Sequence, residues 1–287
     1  MQYALDSSQR SRRLRELLDQ GTVVMPGAYN ALSARLIERA GFDAIYLSGA
    51  VLANSVGGLP DVGLMTLTQA RDHADHVARS VPCPILMDAD TGYGGADNAA
   101  HTVRVFEGAG VSAIHIEDQE FPKRCGHLDG KKLVDAEEFC TKIRAAVAAR
   151  TSPDFIILAR TDARGVVGYD QAVHRARMYL DAGADGIFPE ALEGEQEFAR
   201  FATDVGGLLL ANCTEFGKSP LLTVERFAAM GYRIVIFPVT LQRIAAGAVE
   251  RALAVIKDQG TQQSLIDGMQ TRKELYDLLQ YDPDKVT

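Results

Sequence analysis

Short apolar runs rich in β-branched residues alternate along this chain with longer stretches of helical periodicity. This alternation is typical of βα units, in which a buried parallel strand is followed by a helix that packs on it. Eight such runs occur, at residues 23–25, 44–47, 85–87, 113–116, 155–159, 186–188, 208–211 and 234–237. Seven helical stretches separate the runs and an eighth follows, so the sequence predicts an α/β fold of the (β/α)₈ barrel type.

A similar phrase recurs at three of the predicted joints between a helix and the next strand, at residues 38–47, 107–116 and 180–189. In each copy a helix is expected to end at a glycine before the strand begins. Glycine suits the left-handed backbone conformation that commonly terminates helices. The copies are too unevenly spaced for a solenoid, whose repeats keep a fixed length, and they indicate recurring joints of one barrel.

The length of the chain is ordinary for a single α/β barrel, and we expect one domain over residues 1–287. After the predicted eighth helix, at 241–257, an amphipathic segment at 265–279 exceeds what a barrel requires. Residues 260–287 are therefore interpreted as a C-terminal helical extension. Its apolar face can cover its own barrel or pack on a neighbouring subunit, and the sequence leaves both open.

Charge and composition exclude several classes of partner. The formal net charge is −8, and no basic run supplies the cationic face that nucleic acid requires. No segment reaches the roughly 20 apolar residues of a membrane span, and charges near the N-terminus argue against a secretory signal. Four cysteines are scattered without the spacing of a disulfide framework or a zinc knuckle. We expect a cytoplasmic protein.

Polar side chains follow six successive predicted strands. In a parallel barrel the carboxyl ends of the strands converge on one mouth, where active sites are built. A run of acids, an arginine and an amide at these ends therefore predicts an active site at the mouth. The side chains concerned are Ser48, Asp88, Asp90, Glu117, Asp118, Arg160, Asp162, Glu190, Asn212 and Thr214.

Asp88 and Asp90 stand two residues apart where the third strand ends, so in extended geometry both carboxylates point to the same side. Mg²⁺ prefers oxygen ligands, keeps several waters and typically takes one or two carboxylates from the protein. Glu117 or Asp61 can serve as further anchors, directly or through water. The alternative is that the pair caps a helix or hydrates a loop, because Asp is common at βα joints.

The segment from Lys123 to His127 lies in a long loop between the fourth strand and a helix that begins near Asp135. Long barrel loops are often lids. The cationic neighbours of Cys125 are expected to favour its thiolate, so this side chain can exchange a proton near neutral pH. A solvated basic loop with an inert cysteine is the alternative.

The remaining cysteines and histidines are interpreted as packing, structural or solvated residues. None of them shows the paired spacing of a zinc site. They are Cys83, Cys140, Cys213, His73, His76, His101, His115 and His174.

Taken in order, these motifs resemble the isocitrate lyase/phosphoenolpyruvate mutase superfamily over nearly the whole chain. Within it the sequence is most similar to the branch that cleaves 2-methylisocitrate to pyruvate and succinate in propionate catabolism, through the methylcitrate cycle. The segments that carry the resemblance are 46–49, 58–61, 87–92, 116–119, 123–127, 159–162, 188–190 and 212–216, with 260–263 and 269–272 beyond them.

The resemblance implies a carbon–carbon lyase that uses Mg²⁺, with Mn²⁺ as a substitute, acts on a small tricarboxylate and assembles as a homotetramer with exchanged terminal helices. Cys125 would be the acid, tuned by Lys123, Arg124 and His127, and Tyr46 or a metal-bound water would be the base. The implied metal site is formed by Asp61, Asp88, Asp90 and Glu117. The implied substrate contacts are Ser48, Gly49, Arg160, Glu190, Asn212, Thr214 and Arg243.

Two departures from the pattern bear on the substrate. Ala50 stands where related lyases often have a further glycine, and Arg124 replaces a second lysine. One methyl group in a pocket is worth only about 1–3 kcal/mol of discrimination, so the reaction type is better determined than the substrate. Isocitrate or another alkylmalate and the decarboxylation of oxaloacetate remain alternatives, as does a barrel that binds dicarboxylates without turnover.

Overall fold

A computed structural model describes residue 3 and residues 6–282. The strands are Val23–Pro26 (β1), Ile45–Leu47 (β2), Ile85–Asp88 (β3), Ala113–Glu117 (β4), Ile156–Thr161 (β5), Gly186–Pro189 (β6), Leu208–Asn212 (β7) and Ile234–Phe237 (β8). They form one parallel sheet in the order β1-β8-β7-β6-β5-β4-β3-β2. A parallel bridge between Gly27 and Tyr46 brings β1 beside β2 and closes the barrel. The predicted (β/α)₈ barrel is confirmed.

Helices surround the barrel in the predicted alternation. The α-helices are Ser7–Gln20 (α1), Ala31–Arg39 (α2), Gly49–Leu52 (α3), Leu67–Ser80 (α4), Ala96–Gly108 (α5), Ala136–Ala149 (α6), Arg164–Val167 (α7), Tyr169–Asp181 (α8), Glu195–Val205 (α9), Val224–Ala229 (α10), Thr240–Gln259 (α11) and Arg272–Leu279 (α12). A π-helical turn at Ala53–Gly57 follows α3, and a 3₁₀ helix at Gln263–Gly268 precedes α12.

The strands bury both of their faces, because one face fills the barrel and the other packs on the helices. Along β3, Leu86 belongs to the apolar cluster inside the barrel, whereas Ile85 and Met87 belong to the cluster between barrel and helices. This alternation follows from the two-residue period of a strand. Leu14 and Leu17 of α1 join the inner cluster, so this helix, which the sequence analysis did not identify, packs on the interior of the barrel.

Glycine ends the helices at the recurring joints, as predicted. After α2 and α5, Gly41 and Gly110 adopt φ angles of 88° and 82°. This left-handed region is strained for residues with a Cβ atom, so the joint requires glycine.

The C-terminal part of the chain leaves the barrel. The 20 residues of α11 include none that is buried, and apolar side chains such as Leu253 remain exposed. In contrast, α12 returns to its own barrel, where Leu278 is buried and its carbonyl accepts a hydrogen bond from Arg35. Residues 283–287 of the predicted extension lie outside the described residues. Among the helices described, none has the length and apolar content needed to cross a membrane.

Candidate active site

The barrel mouth, which we define as the cluster formed by Asp88, Asp90, Glu117, Arg160, Glu190 and Asn212 at the carboxyl ends of β3 to β7, is assembled as the sequence predicts. All of these side chains belong to buried residues. They come from strands that are neighbours in the sheet. The mouth thus concentrates acids around one arginine.

Arg160 is the centre of this cluster. Its Nε lies 2.9 Å from Asp162 and 3.3 Å from Glu117, and its Nη2 lies 3.1 Å from Glu190. Although burial opposes ionisation, the Arg160 guanidinium holds the pKa of Glu190 well below its ordinary value. The guanidinium also lies 5.0 Å from the centroid of the Phe188 ring. Packing and charge therefore fix Arg160 in one orientation.

Asp88 is held by backbone groups on both of its oxygens. The amide of Gly49 donates to Oδ2 and the amide of Asp90 donates to Oδ1, both at 3.0 Å. A Cβ atom on Gly49 would lie 3.0 Å from Asp88 Oδ2, so glycine permits this close approach. Each carboxylate oxygen has two lone pairs, and one on each therefore remains available to a cation.

The neighbouring Ser48 caps α3, since its hydroxyl oxygen accepts from the amide of Val51 at 3.4 Å. Ser48 and Gly49 were both predicted to hold a substrate carboxylate. In this structure the Gly49 amide is engaged by Asp88, whereas the Ser48 hydroxyl keeps its proton available for donation.

Lys123 connects the acidic pair to the loop above it. Its Nζ lies 2.8 Å from Asp90 Oδ1 and also bonds to the Asp61 carboxylate. Burial works against a charged ammonium, but the surrounding acids, Glu117, Asp90 and Asp61 foremost, raise the pKa of Lys123 well above its ordinary value. Lys123 is therefore a buried cation. It bridges the carboxylates of Asp61 and Asp90.

Tyr46 and His115 form a neutral pair on the barrel floor. The Tyr46 hydroxyl lies 2.8 Å from His115 Nε2, and both residues are buried. Burial, reinforced by Asp88, raises the pKa of Tyr46 well above its ordinary value. Burial also lowers the pKa of His115 to about 4. His115 was interpreted as a core histidine, and the structure adds that it positions the Tyr46 hydroxyl.

The cysteine loop, which we define as residues 119–134, lies directly on the barrel mouth. A Cβ atom on Gly126 would lie 2.3 Å from Arg160 Nη2 and 2.6 Å from Glu190 Oε2. His127 places its Nε2 3.1 Å from Glu190 Oε1, while its Nδ1 accepts from the Lys218 amide at 3.0 Å. The loop is thus seated over the site, with Cys125 between Lys123 and Gly126.

The expected effect of the cationic neighbours on Cys125 is corrected by the structure. Burial raises the pKa of the Cys125 thiol above its ordinary value, although a backbone hydrogen bond with His127 lowers it. The cations are engaged elsewhere, since Lys123 binds Asp90 and the Arg124 guanidinium is exposed and bonds to the Asp129 carbonyl at 3.3 Å. The arrangement keeps the thiol protonated, which suits a proton donor and not a nucleophile.

The side chains of Asp118, Arg243 and Thr214, which were predicted at the mouth or as substrate contacts, make no contact with the side chains of the mouth cluster among the interactions that the structure shows for the described residues. Asp118 points out of the barrel, where it accepts from the Tyr179 hydroxyl at 2.8 Å, because successive strand residues face opposite sides. Arg243 is half exposed and pairs with Glu215 at 3.0 Å. Thr214 is buried beyond the end of β7.

Sequence reasoning missed Lys131, a buried residue of the cysteine loop. Its Nζ lies 2.8 Å from Asp162 Oδ1 and also bonds to the Gly126 carbonyl. It also missed Gln119, whose side chain clamps the Arg124 backbone with hydrogen bonds of 2.9 and 3.0 Å. Both contacts are made across the loop, and no periodicity in the sequence signals them.

The polar atoms of the mouth fit a divalent cation held partly through water. Glu117 Oε1 is buried and has no hydrogen-bond partner, and burial raises the pKa of this carboxyl well above its ordinary value despite Arg160. A cation would relieve both costs. Within residues 3 and 6–282, no three His, Cys, Asp or Glu side chains are arranged to hold a metal directly. A hard divalent cation typically takes only one or two carboxylates from the protein and keeps several waters.

A parallel barrel with this acid-rich, arginine-centred mouth defines an α/β-barrel enzyme that acts on a small organic substrate. Residues 14–257 match the family model of phosphoenolpyruvate phosphomutase. The chain belongs to the phosphoenolpyruvate mutase/isocitrate lyase superfamily, and the resemblance drawn from its motifs is confirmed.

Among curated relatives, the chain is 51% identical to 2-methylisocitrate lyase of Aeropyrum pernix, over 93% of this chain and 86% of that protein. It is 47% identical to 2-methylisocitrate lyase of Bacillus subtilis, over 94% of this chain and 89% of that protein.

Solved structures of other superfamily members superpose closely on this one. An oxaloacetate acetylhydrolase bound to 3,3-difluorooxalacetate has a TM-score of 0.91 at 38% identity, over 96% of this chain and 94% of that one. A 2,3-dimethylmalate lyase has a TM-score of 0.88 at 39% identity, over 94% of this chain and 91% of that one. A phosphonopyruvate hydrolase in complex with oxalate and Mg²⁺ has a TM-score of 0.85 at 33% identity, over 94% of each chain.

Proposed function

We propose that this protein is a Mg²⁺-dependent carbon–carbon lyase that cleaves 2-methylisocitrate to pyruvate and succinate. The relatives with that name cover nearly the whole chain at about half identity. The observation that carries the proposal is the seating of the cysteine loop, because Lys123 contacts Asp90 while Gly126 contacts Arg160. Cys125 therefore lies between the acidic and the arginine side of one mouth.

Cleavage of the carbon–carbon bond is a retro-aldol step. The substrate hydroxyl loses its proton and becomes the keto group of pyruvate, while the bonding electron pair stays on the carbon that becomes part of succinate. That carbanion must then be protonated. The site therefore has to stabilise negative charge at the first fragment and deliver a proton to the second.

Mg²⁺ would be held, directly or through water, by Asp88, Asp90 and Glu117. Asp61 would contribute through its ion pair with Lys123. When bound, Mg²⁺ polarises the hydroxyl and carboxylate that become the keto acid. The proposal draws on the orphaned Glu117 oxygen, on the two oxygens of Asp88, and on the Mg²⁺ named with the related phosphonopyruvate hydrolase.

Side chains of this protein would transfer the protons and orient the substrate. The neutral Tyr46 hydroxyl would accept the proton of the reacting hydroxyl while passing its own proton to His115 Nε2, 2.8 Å away. Cys125, a protonated thiol, donates to the succinate carbanion. Arg160 orients a substrate carboxylate, since its planar fork suits that group. Glu190 and Asn212 would line the pocket beside Arg160, with Ser48 and Gly49 at the acidic end. Thr214 and Arg243 are kept as substrate contacts on the strength of the resemblance alone.

A panel of substrates tests this function. With Mg²⁺ present, we expect purified protein to release pyruvate from 2-methylisocitrate faster than it releases glyoxylate from isocitrate, and faster than it acts on 2,3-dimethylmalate or oxaloacetate. EDTA should abolish turnover, and excess Mg²⁺ or Mn²⁺ should restore it. A coupled assay for released 2-oxo acid measures each rate. A higher kcat/KM for any other member of the panel would overturn the substrate assignment.

We further propose that the protein works in the cytoplasm as a homotetramer in which neighbouring subunits exchange terminal helices, with α11 as the exchanged helix because α12 packs on its own barrel. The support is α11, which buries no residue yet carries exposed apolar side chains such as Ile244 and Leu253. Beside it an apolar cavity of about 470 Å³ lies between α2 and the start of α11. Light scattering should give a solution mass near four times the 31.1 kDa of the chain, and a monomeric mass would contradict the assembly.

A further inference from the structure

Besides the contacts of Lys123 with Asp90 and of His127 with Glu190, the cysteine loop is fastened to the barrel by a second buried lysine. The side chain of Lys131 is 2% exposed, and its Nζ lies 2.8 Å from Asp162 Oδ1. The same ammonium bonds to the carbonyl of Gly126, the residue after Cys125. A single cation therefore joins the barrel carboxylate to the backbone beside the thiol.

Asp162 is itself fixed in the mouth. Its carboxylate receives Arg160 Nε at 2.9 Å and Nη2 at 3.2 Å. Its amide donates to the buried Asp118 at 2.9 Å. Lys131 thus connects Gly126 to the Asp162 carboxylate, which also orients Arg160.

Gly126, whose carbonyl Lys131 holds, lies in close contact with the arginine of the mouth. A Cβ atom there would collide with Arg160 Nη2 at 2.3 Å, so the loop backbone lies in contact with the guanidinium. If the Gly126 carbonyl were released, the backbone between the anchored side chains of Lys123 and His127 could shift away from Arg160, and Cys125 would move with it. Displacement of a reacting group by about 1 Å can cost a factor of roughly 100 in rate.

We propose that Lys131 is a positioning residue that latches the cysteine loop over the mouth and so sets the location of the Cys125 thiol. This inference rests on the proposed function for the role of Cys125. The latch can open reversibly, because Asp162 keeps Arg160 as its partner when Lys131 leaves. No buried carboxylate is then left without a cation.

Lys131→Met, which keeps length and removes charge, tests the latch, and Lys132→Met is the matched control because Lys132 is exposed. We expect kcat of Lys131→Met to fall by about 100-fold, with a far smaller change in KM. In the free enzyme, alkylation of Cys125 by iodoacetamide should become about tenfold faster, because a charge-assisted hydrogen bond that holds the loop is lost. Lys132→Met should match the wild type in both measurements.

Lys131→Arg retains the charge and should restore slow alkylation and part of kcat, which separates the latch from a general loss of folding. Alkylation is followed by mass spectrometry of the Cys125 peptide and does not depend on the identity of the substrate, so it decides the latch even if the proposed lyase reaction fails. A wild-type alkylation rate in Lys131→Met would overturn the proposal, whatever happens to kcat.

Discussion

Replacing Cys125 by alanine is expected to lower kcat by about 10³-fold while substrate binding stays measurable. Proton transfer by a positioned side chain typically contributes factors of roughly 10² to 10⁴. Cys125 is proposed to act after the bond has broken, so its loss slows protonation without removing the metal site or Arg160. Steady-state kinetics with 2-methylisocitrate gives kcat, and calorimetric titration with the product succinate reports on binding.

Cys140→Ala is the matched control for this prediction. Cys140 is buried in α6, and its Sγ lies 3.6 Å from the Met178 carbonyl, outside the mouth. Its removal should leave kcat within about twofold of the wild type, since no proton transfer is lost. Full activity in Cys125→Ala would remove Cys125 from the mechanism.

Replacing Arg160 by methionine is expected to abolish activity and to lower the free energy of unfolding by about 3–5 kcal/mol. Removing one partner of a buried ion pair leaves an uncompensated charge, which costs roughly this amount. Here the ionised carboxylates of Asp162 and Glu190 lose a guanidinium at 2.9 and 3.1 Å and keep only Lys131 and His127, respectively, as cationic neighbours. Chemical denaturation followed by circular dichroism measures the change.

Arg144→Met is the comparison for stability, because Arg144 pairs with Glu137 at 2.7 Å while both side chains are more than half exposed. Exposed pairs contribute little because water screens them, so the loss of stability should be small. Arg160→Lys should recover much of the stability but little kcat/KM, since an ammonium lacks the planar fork. Equal stability losses at the two arginines would contradict the buried network.

The barrel could be predicted because its strands are buried on both faces and therefore appear in the sequence as apolar runs. The predicted and observed strands differ by two residues at most, as at β5. The charged residues of the mouth were also predictable, since Asp88, Glu117 and Arg160 directly follow predicted strands. By contrast, α1 was not identified, because its role inside the barrel depends on tertiary packing of Leu14.

The contacts within the cysteine loop could not be predicted from the sequence. Its charges suggested a thiolate at Cys125, but Lys123 and Arg124 bond to other groups and burial dominates the pKa of the thiol. Charge context in a sequence does not reveal which acid each cation will bind. For the same reason Lys131 resembled any other loop lysine until its contact with Asp162 was seen.

The central claim is that one cavity holds a divalent cation at its acidic end and the Cys125 thiol within reach of the departing fragment. A crystal structure of the protein with Mg²⁺, pyruvate and succinate tests it most directly. We expect density for the ion beside Asp88 and pyruvate, and Cys125 Sγ within about 3–3.5 Å of a succinate methylene carbon. Asp88 and Cys125 facing separate cavities, with no room between them for a tricarboxylate, would contradict the account.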